Sequence, residues 1–455
     1  MSLLLVGMDV TIVNVALPSI QRDLGATLSE LQWIVDAYTL VVASLLMFSG
    51  SMSDRFGRRR VFQIGLVLFT SGSLLCSMAN TVGALVLFRG MQGLGASMLN
   101  PVALSIIANT FPEPKDRARA VGVWGAVAGV SLALGPLLGG ALTEEIGWRS
   151  IFWINAPIGV LAVLLTGLFV PESKAPRARA LDPLGQLMVF LGLASVTYAV
   201  IEAPRVGWTS ATTVGLLATA VAALVIFLLW EPRRKEPLVD LRFFRSVPFS
   251  SATLLALICF ASFAAFLFLN ALYLQQERNF SAFASGFCTL PLAVAMMFTS
   301  PLSGRLVGRY GTRPSLLLSG AGLVASTLIL TQLTVETPLA LLLLAYALFG
   351  AGLGMVNPAI TNNAVAGMPL TQAGVAAAIA STGRQVGAAM GVAIAGTVVH
   401  TVRSTATNYT QATHPIYWLM IASGCIVLFI GWASTTPRAI ASAGRVASSL
   451  ASGAA

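Results

Sequence analysis

From Ala211 to Trp230 the chain reads ATTVGLLATAVAALVIFLLW, twenty residues without a charge. A helix of about twenty residues, rising 1.5 Å per residue, crosses the ~30 Å apolar core of a bilayer. Comparable runs recur near 1–20, 31–50, 61–79, 83–107, 120–142, 150–170, 183–203, 248–275, 283–303, 314–333, 338–360, 375–399 and 415–436. Inside lipid every backbone N–H and C=O needs a partner, so a spanning chain forms helices or a closed barrel. A barrel would show strands of about ten residues alternating in polarity, whereas these runs are unbroken. Charged residues make up 10% of the chain and hydrophobic ones 56%. Soluble domains carry about 25% charge, so there is too little polar material here to solvate a surface. The expected fold is all-α and integral to a membrane, with fourteen transmembrane helices.

The net charge of +10 does not point to nucleic acid, because the basic residues lie between the apolar runs rather than on one face. Alternate connectors (51–60, 108–119, 171–182, 231–247, 304–313 and the tail from 437) hold 20 of the 27 Lys and Arg. The opposite side holds five: Arg22, Arg149, Arg205, Arg278 and Arg403. This excess predicts that the basic connectors and both termini face the cytoplasm. Cys76, Cys259, Cys288 and Cys425 lie in or beside apolar runs with no C-x-x-C spacing, and read as small packing residues rather than disulfide or metal ligands. The first run has no basic lead and flows into Asp9 and Asn14, unlike a cleavable signal peptide. It begins almost at Met1, so an incomplete start is also an expectation.

Two connectors resemble each other. After the second run the chain reads Gly50-Ser-Met-Ser-Asp54-Arg55-Phe-Gly57-Arg58-Arg59; after the tenth it reads Gly304-Arg305-Leu-Val-Gly308-Arg309-Tyr-Gly311-Thr-Arg313. Each would follow the second helix of a six-helix unit. The expected plan is therefore a bundle at 1–170, two additional helices at 183–230, a second bundle at 248–436 and a cytoplasmic tail at 437–455. Repeated halves around a midplane site are a common build of secondary transporters.

A charge within the bilayer is costly and demands a reason. Asp9 lies about 13 Å along the first helix, near the midplane, and Asp36 about 8 Å inside the second. Arg89 and Arg384 fall within the fourth and thirteenth runs. Desolvation favours a neutral carboxyl and a nearby cation favours the charged form. A carboxyl facing the two aqueous sides in turn could therefore load and release a proton. Asp9 and Asp36 are the expected proton-coupling groups; the competing reading is a structural ion pair with Arg89.

In the first connector, Gly50 and Gly57 are expected to permit a tight turn, with Asp54 near a helix N-terminus or facing arginines of the other half. Contacts of that kind, made in one conformation and broken in another, would make Gly50, Asp54, Arg55, Gly57, Arg58 and Arg59 a conformational gate. In the fifth run, Gly125, Gly129, Gly135, Gly139 and Gly140 allow close helix contact and Pro136 allows a bend, though glycine is also common in ordinary membrane packing.

Together these motifs resemble the major facilitator superfamily, specifically its fourteen-helix drug:proton antiporter branch of the QacA/EmrB type. The Gly50–Arg59 connector looks like the superfamily's signature loop. Leu87-Phe-Arg89-Gly-Met-Gln92-Gly93-Leu-Gly95 looks like its fourth-helix motif, whose arginine is implicated in proton transfer, and Gly125–Gly140 looks like the fifth-helix antiporter motif of exporters. Asp9–Pro18, Trp33–Tyr38, Gly147–Pro157 and Arg384–Gly387 are similar to that branch. The resemblance implies the major facilitator fold, two six-helix bundles plus two extra helices, in a bacterial cell membrane. It also implies proton-coupled export of a small amphiphilic drug by alternating access, using the proton gradient and no cofactor, metal or obligatory protein partner. Candidate substrate-cavity residues are Asn14, Tyr38, Gln92, Asn270, Asn357, Arg384 and Gln385, with Trp33, Phe263, Phe266 and Phe268 as cavity or lipid-facing aromatics. One departure matters for substrate: past residue 240 the acids are Glu277 and Glu336, both at span boundaries. Some relatives that extrude divalent organic cations carry an acid deep in the tenth span, and 283–303 has none.

An ATP-driven pump is excluded by the lack of a phosphate loop: none of Lys115, Lys174 or Lys235 follows a glycine. The glycines at 350, 352 and 354 lie in an apolar run without a βαβ context. A membrane enzyme would need a cluster of His, acids or a nucleophile, yet His400 and His414 sit at or beyond the outer surface. A receptor or scaffold would not need paired buried acids and arginines. The rival within transporters is proton symport, that is, import.

Overall fold

The computed structural model describes residues 1–111, 113–175, 181–234, 236–366, 368, 370–403 and 409–452; for parts of 114–128, 370–373, 403, 409–410 and 447–452 the backbone alone is described. In chain order its helices are α1 Ser2–Leu24, α2 Leu28–Phe56, α3 Arg58–Ser77, α4 Val82–Thr110, α5 Pro114–Glu145, α6 Ser150–Trp153, α7 Asn155–Phe169, α8 Pro183–Val206 and α9 Ala211–Trp230. They continue with α10 Val247–Leu272, α11 Ala282–Cys288, α12 Leu290–Tyr310, α13 Thr312–Leu330, α14 Leu339–Val365, α15 Leu370–Arg403, α16 Tyr409–Ala433 and α17 Pro437–Ser452. Among the described residues there is no strand. Among the described residues, thirteen helical segments are long and apolar enough to cross a bilayer. The expected span at 120–142 lies within the 32-residue α5, much of whose N-terminal half is described by backbone alone.

Local chemistry sets the helix ends. Thr27 and Glu30 form a reciprocal capping box at the start of α2. The hydroxyls of Thr81 and Ser281 and the carboxylate of Asp182 accept the N–H groups of Ala84, Ala284 and Gly185 at the starts of α4, α11 and α8. Two expected spans are interrupted. The run 150–170 breaks at Ile154, three residues before Pro157, and the run 283–303 breaks at Thr289, two before Pro291. Proline donates no hydrogen bond to the residue four before it and its ring crowds that carbonyl, so the helical ladder is cut there.

The chain divides into two units. The first holds 1–230, 234–238 and 267–290; the second holds 231–233, 239–266 and 291–455. In the first unit α4 packs between α2 and α3, α5 packs on α1 and α11, α7 on α3, and α8 on α9 and α2. Against α2, Gln186 Nε2 donates to the Ser44 carbonyl and the Trp33 and Tyr198 rings lie 5.4 Å apart. In the second unit α13 packs on α14 and α16, and α15 on α14 and α16. Its core is aromatic: Phe266, 1% exposed, stacks on Phe349 at 4.8 Å and meets Tyr346 edge-on at 5.1 Å. The expected tail at 437–455 is largely helical: α17 buries Ala439, Ser442, Ala443 and Val446, and Ser442 Oγ accepts the Val247 N–H at 2.9 Å. That i, i+3, i+4, i+7 spacing gives α17 one face to bury against 241–245.

Candidate functional site

The chemistry of the first unit gathers at one carboxylate. Asp9 on α1 is 0% exposed. Arg89 and Gln92, three apart and so on one face of α4, both reach it. Arg89 Nη1 donates to Asp9 Oδ2 at 2.6 Å and to Gln92 Oε1 at 2.6 Å, while Gln92 Nε2 donates to Asp9 Oδ1 at 2.8 Å. Asn155, at the start of α7, donates to Asp9 Oδ1 at 3.5 Å and to Ser73 Oγ of α3 at 3.0 Å. Ser73 in turn donates to the Phe152 carbonyl at 3.0 Å. Side chains of α1, α3, α4 and α7 thus meet in one buried polar network, closed into a ring at Asp9, Arg89 and Gln92.

Close packing of α4 on α2 explains the Arg89 geometry. A Cβ at Gly93 would lie 2.7 Å from the Tyr38 carbonyl oxygen, so only glycine lets the two backbones approach this far. Arg89 Nε then reaches the Ile34 carbonyl at 3.2 Å, and its guanidinium lies 4.4 Å from the centre of the Tyr38 ring. Tyr38 and Gln92, expected in a substrate cavity, are 1% and 0% exposed and hold this cation. Asn14 donates to the Val10 carbonyl of its own helix at 2.8 Å.

Asp36 is a different kind of carboxyl. It is 0% exposed, and Thr39 Oγ1 donates to its Oδ1 at 3.4 Å. Its Oδ2 has no hydrogen-bond partner among the described residues, and no Lys or Arg nitrogen lies within 4.0 Å. The structure therefore separates the two expected proton-coupling acids: Asp9 is ion-paired to Arg89, and Asp36 is not.

At the α2–α3 turn the structure corrects one expectation. Gly50 lies inside α2 with open space around it, and the turn rests on Gly57 alone, at φ 112°. Asp54 bonds within its own connector, accepting from Arg58 Nη2 at 2.8 Å and Nε at 3.2 Å. Arg55 is exposed. The residue that organises this turn was not foreseen: Glu172, beyond α7, accepts the backbone N–H groups of Arg59 at 3.1 Å and Arg60 at 3.2 Å. A Cβ at Gly57 would lie 2.7 Å from the Glu172 carboxylate. The segment is laced on by Arg58 N–H to the Ser173 carbonyl at 2.9 Å and Ala175 N–H to the Asp54 carbonyl at 3.1 Å. An acid just after an apolar run, with α3's first N–H groups lacking intrahelical acceptors, was the signal available.

The α5 glycines divide by neighbour. A Cβ at Gly135 would collide with the Thr11 side chain and the Met8 carbonyl of α1, and one at Gly139 would lie 2.7 Å from Ile12 Cγ1. Gly140 instead faces the Ala282 carbonyl, and Gly286 of α11 meets the Pro136 carbonyl. Gly129 is half-buried, and Gly125 falls outside the residues whose surroundings are described. Beside them, Asp23 accepts from Trp148 Nε1 at 2.9 Å and Arg149 Nη1 at 2.7 Å, tying the start of the expected Gly147–Pro157 motif to α1.

In the second unit α15 lies close on α10, where Gly387 and Gly391 meet the Leu257 and Ala261 carbonyls. This sets Arg384 beside Phe260, its guanidinium 5.8 Å from the ring centre. Arg384 Nη2 donates to Ser381 Oγ at 2.5 Å and Nη1 to Asn357 Oδ1 of α14 at 3.5 Å. Gln385 is half-buried next to it. Asn270 belongs to the first unit, so the expected cavity residues are shared between the units rather than gathered in one. Phe266 and Phe268 are core residues at 1% and 0% exposure, and Phe263 is 7% exposed. No His, Cys, Asp or Glu cluster able to hold a metal occurs among the described residues.

A chain of apolar helices that buries an ion pair within its membrane-spanning segments is a polytopic membrane protein with the architecture of a transporter. Residues 1–392 match the Major Facilitator Superfamily, and the chain belongs to it. It is 38% identical over 88% of its length to the multidrug resistance protein Stp of Mycobacterium tuberculosis, covering 74% of that protein. It is 40% identical over 87% of its length to a puromycin resistance protein of Streptomyces alboniger (79% of it covered), and 36% identical over 87% to the tetracenomycin C resistance and export protein of Streptomyces glaucescens (74% covered). Among solved structures, it superposes on an auto-inhibited POT family peptide transporter with a TM-score of 0.68 at 15% identity, covering 95% of this chain and 94% of that one. For the human organic anion transporter MFSD10 the score is 0.65 at 16% identity, covering 94% and 98%. These two likenesses show the fold.

Proposed function

We propose that this protein is a proton-coupled efflux transporter of small amphiphilic drug-like molecules, working by alternating access in a bacterial cell membrane with both termini in the cytoplasm. The observation that carries the reading is the buried Asp9–Arg89–Gln92 ring. Its relatives named for drug resistance and export supply the direction, and the basic connectors supply the orientation.

Neutralising Asp9 removes the acceptor of a charged hydrogen bond from Arg89 and changes its contact with Gln92, both on α4. A proton arriving at Asp9 therefore biases how α1 and α4 pack, and a two-state element biased by a proton is the core of coupling. Asp36 can exchange a proton without displacing a cation, so it is the second coupling group, with little structural consequence of its own. The protein needs no nucleotide or metal for this cycle: the pH gradient supplies the work.

The test is made in proteoliposomes with an imposed pH gradient and an entrapped pH indicator. Puromycin, tetracenomycin C, ethidium and fluorescein are added in turn to wild type, Asp9→Asn and Asp36→Asn. Substrate moving against the proton flux, lost in either variant, is expected. Movement in the same direction as the protons would replace export with symport, and no movement with any of the four would overturn the reading.

A further inference from the structure

We propose that Arg384 is an anion-binding site for the transported molecule, and that the carrier takes amphiphiles bearing an acidic group rather than cations. This rests on the transport reading above. Arg384 is placed where a cation is most costly. In the apolar stretch Gly374–Val402 of α15 it lies about 15 Å from the start and about 27 Å from the end, deeper than its side chain spans.

Its partners are all neutral: the Ser381 hydroxyl, the Asn357 amide oxygen and the face of Phe260. No carboxylate oxygen lies within 4.0 Å of it among the described residues. From residue 241 onward the acids are Glu277, in a turn at the end of α10 and in the first unit, and Glu336, exposed between α13 and α14. Within the second unit no membrane-spanning helix contains an acid at all. Arg89 in the first unit shows the usual solution, a carboxylate at 2.6 Å. Arg384 has no such counter-charge, and a charge at membrane depth persists where something compensates it or where it marks a ligand pathway.

The surroundings suit an organic anion. Guanidinium offers five N–H donors in a planar fork, of which Ser381 and Asn357 engage two groups, leaving donors for a carboxylate, sulfonate or enolate. Phe260 on one side supplies an aromatic face for the apolar body, and Gln385 and Asn357 add neutral donors. An organic cation would meet the charge of Arg384 and find no carboxylate in these helices to offset it.

Full-length protein in detergent is titrated with fluorescein, an aromatic anion, and with ethidium, an aromatic cation, by fluorescence anisotropy. Wild type is expected to bind fluorescein, Arg384→Gln to weaken it about tenfold or more, and Arg384→Lys, which keeps the charge but loses the planar fork, to fall between the two. Ethidium is expected to bind wild type about tenfold or more weakly than fluorescein, and that weak binding to be the same in every variant. Should Arg384→Gln fail to elute as a single species, Asn357→Ala carries the comparison, with fluorescein weakened and ethidium unchanged. Equal loss of both probes would reveal a purely structural arginine and overturn the proposal, as would unchanged fluorescein binding in Arg384→Gln or ethidium binding alone in wild type. The two readings fail separately. Gradient-driven movement of ethidium but not fluorescein sinks the anion site and leaves transport; Arg384-dependent fluorescein binding without movement of any probe leaves the site and sinks transport.

Discussion

Asp9 and Asp36 lie on consecutive helices, α1 and α2, and both are fully buried, yet they should answer substitution differently. Removing one partner of a buried ion pair strands the other, which costs about 3–5 kcal/mol. Arg89→Ala is therefore expected to lower the thermal midpoint in detergent sharply, and Asp9→Asn to lower it as well because Arg89 stays charged. Combining Asp9→Asn with Arg89→Gln should recover part of that loss, a non-additivity that a thermal double-mutant cycle reads directly. Asp36→Asn removes a carboxyl held by one 3.4 Å contact, so its midpoint should stay close to wild type while gradient-driven transport is lost. A large drop in stability for Asp36→Asn would show that the carboxyl has a structural partner. Asp9, Asp36 and Arg89 could be singled out in the sequence because charges in apolar runs are rare. Which acid takes the arginine could not, because that depends on the rotation of α1 and α2 about their axes, set by Gly93 and Gly139 packing rather than by spacing along the chain.

At the scale of elements, the α2–α3 turn depends on a residue more than a hundred positions away in the chain. Glu172 occupies the N-terminus of α3, where a negative charge and two accepted N–H groups together stabilise the first turn. Glu172→Ala should destabilise by about 1 kcal/mol, and the conservative Glu172→Gln by less. Gly57→Ala should cost more, because its backbone is at φ 112° and the new methyl would press on Glu172. Gly50→Ala, by contrast, is expected to be neutral or slightly stabilising inside a helix. Thermal midpoints of the four variants test the ranking, and a Gly50→Ala effect as large as that of Gly57→Ala would contradict it. On α5, Gly139→Leu should push α1 away and abolish transport, whereas the same change at solvent- or lipid-facing Gly215, with nothing within 4 Å, should be tolerated. The glycine pattern was legible as close packing; its division between α1 and α11 was not, since small residues on a helix do not name their neighbour.

Over the whole molecule, apolar run length and loop charge were enough to read an all-helical membrane protein, and the motifs in series were enough to read its family. The interruptions at Ile154 and Thr289 were written in Pro157 and Pro291 but passed over, because hydropathy averages across a break that hydrogen bonding cannot. The helical character of 437–452 was missed for the opposite reason: its mixed composition hides a narrow buried face. Truncation after Thr436 would strip that face from 241–247 and remove the Ser442 acceptor of the Val247 N–H. Reduced thermal stability and reduced yield of monodisperse protein are the expected outcomes, and an unchanged midpoint would mean that α17 is an appendage.

The neutral surroundings of Arg384 have an electrical corollary. A charge carried across the full membrane field responds with about 2.3 kcal/mol per 100 mV. A carrier whose guanidinium is balanced by a bound organic anion moves with that charge cancelled, whereas the unloaded carrier moves it bare. Membrane voltage would then act chiefly on the empty return half of the cycle, so that polarising the cell tunes how quickly the transporter resets rather than how firmly it holds its cargo.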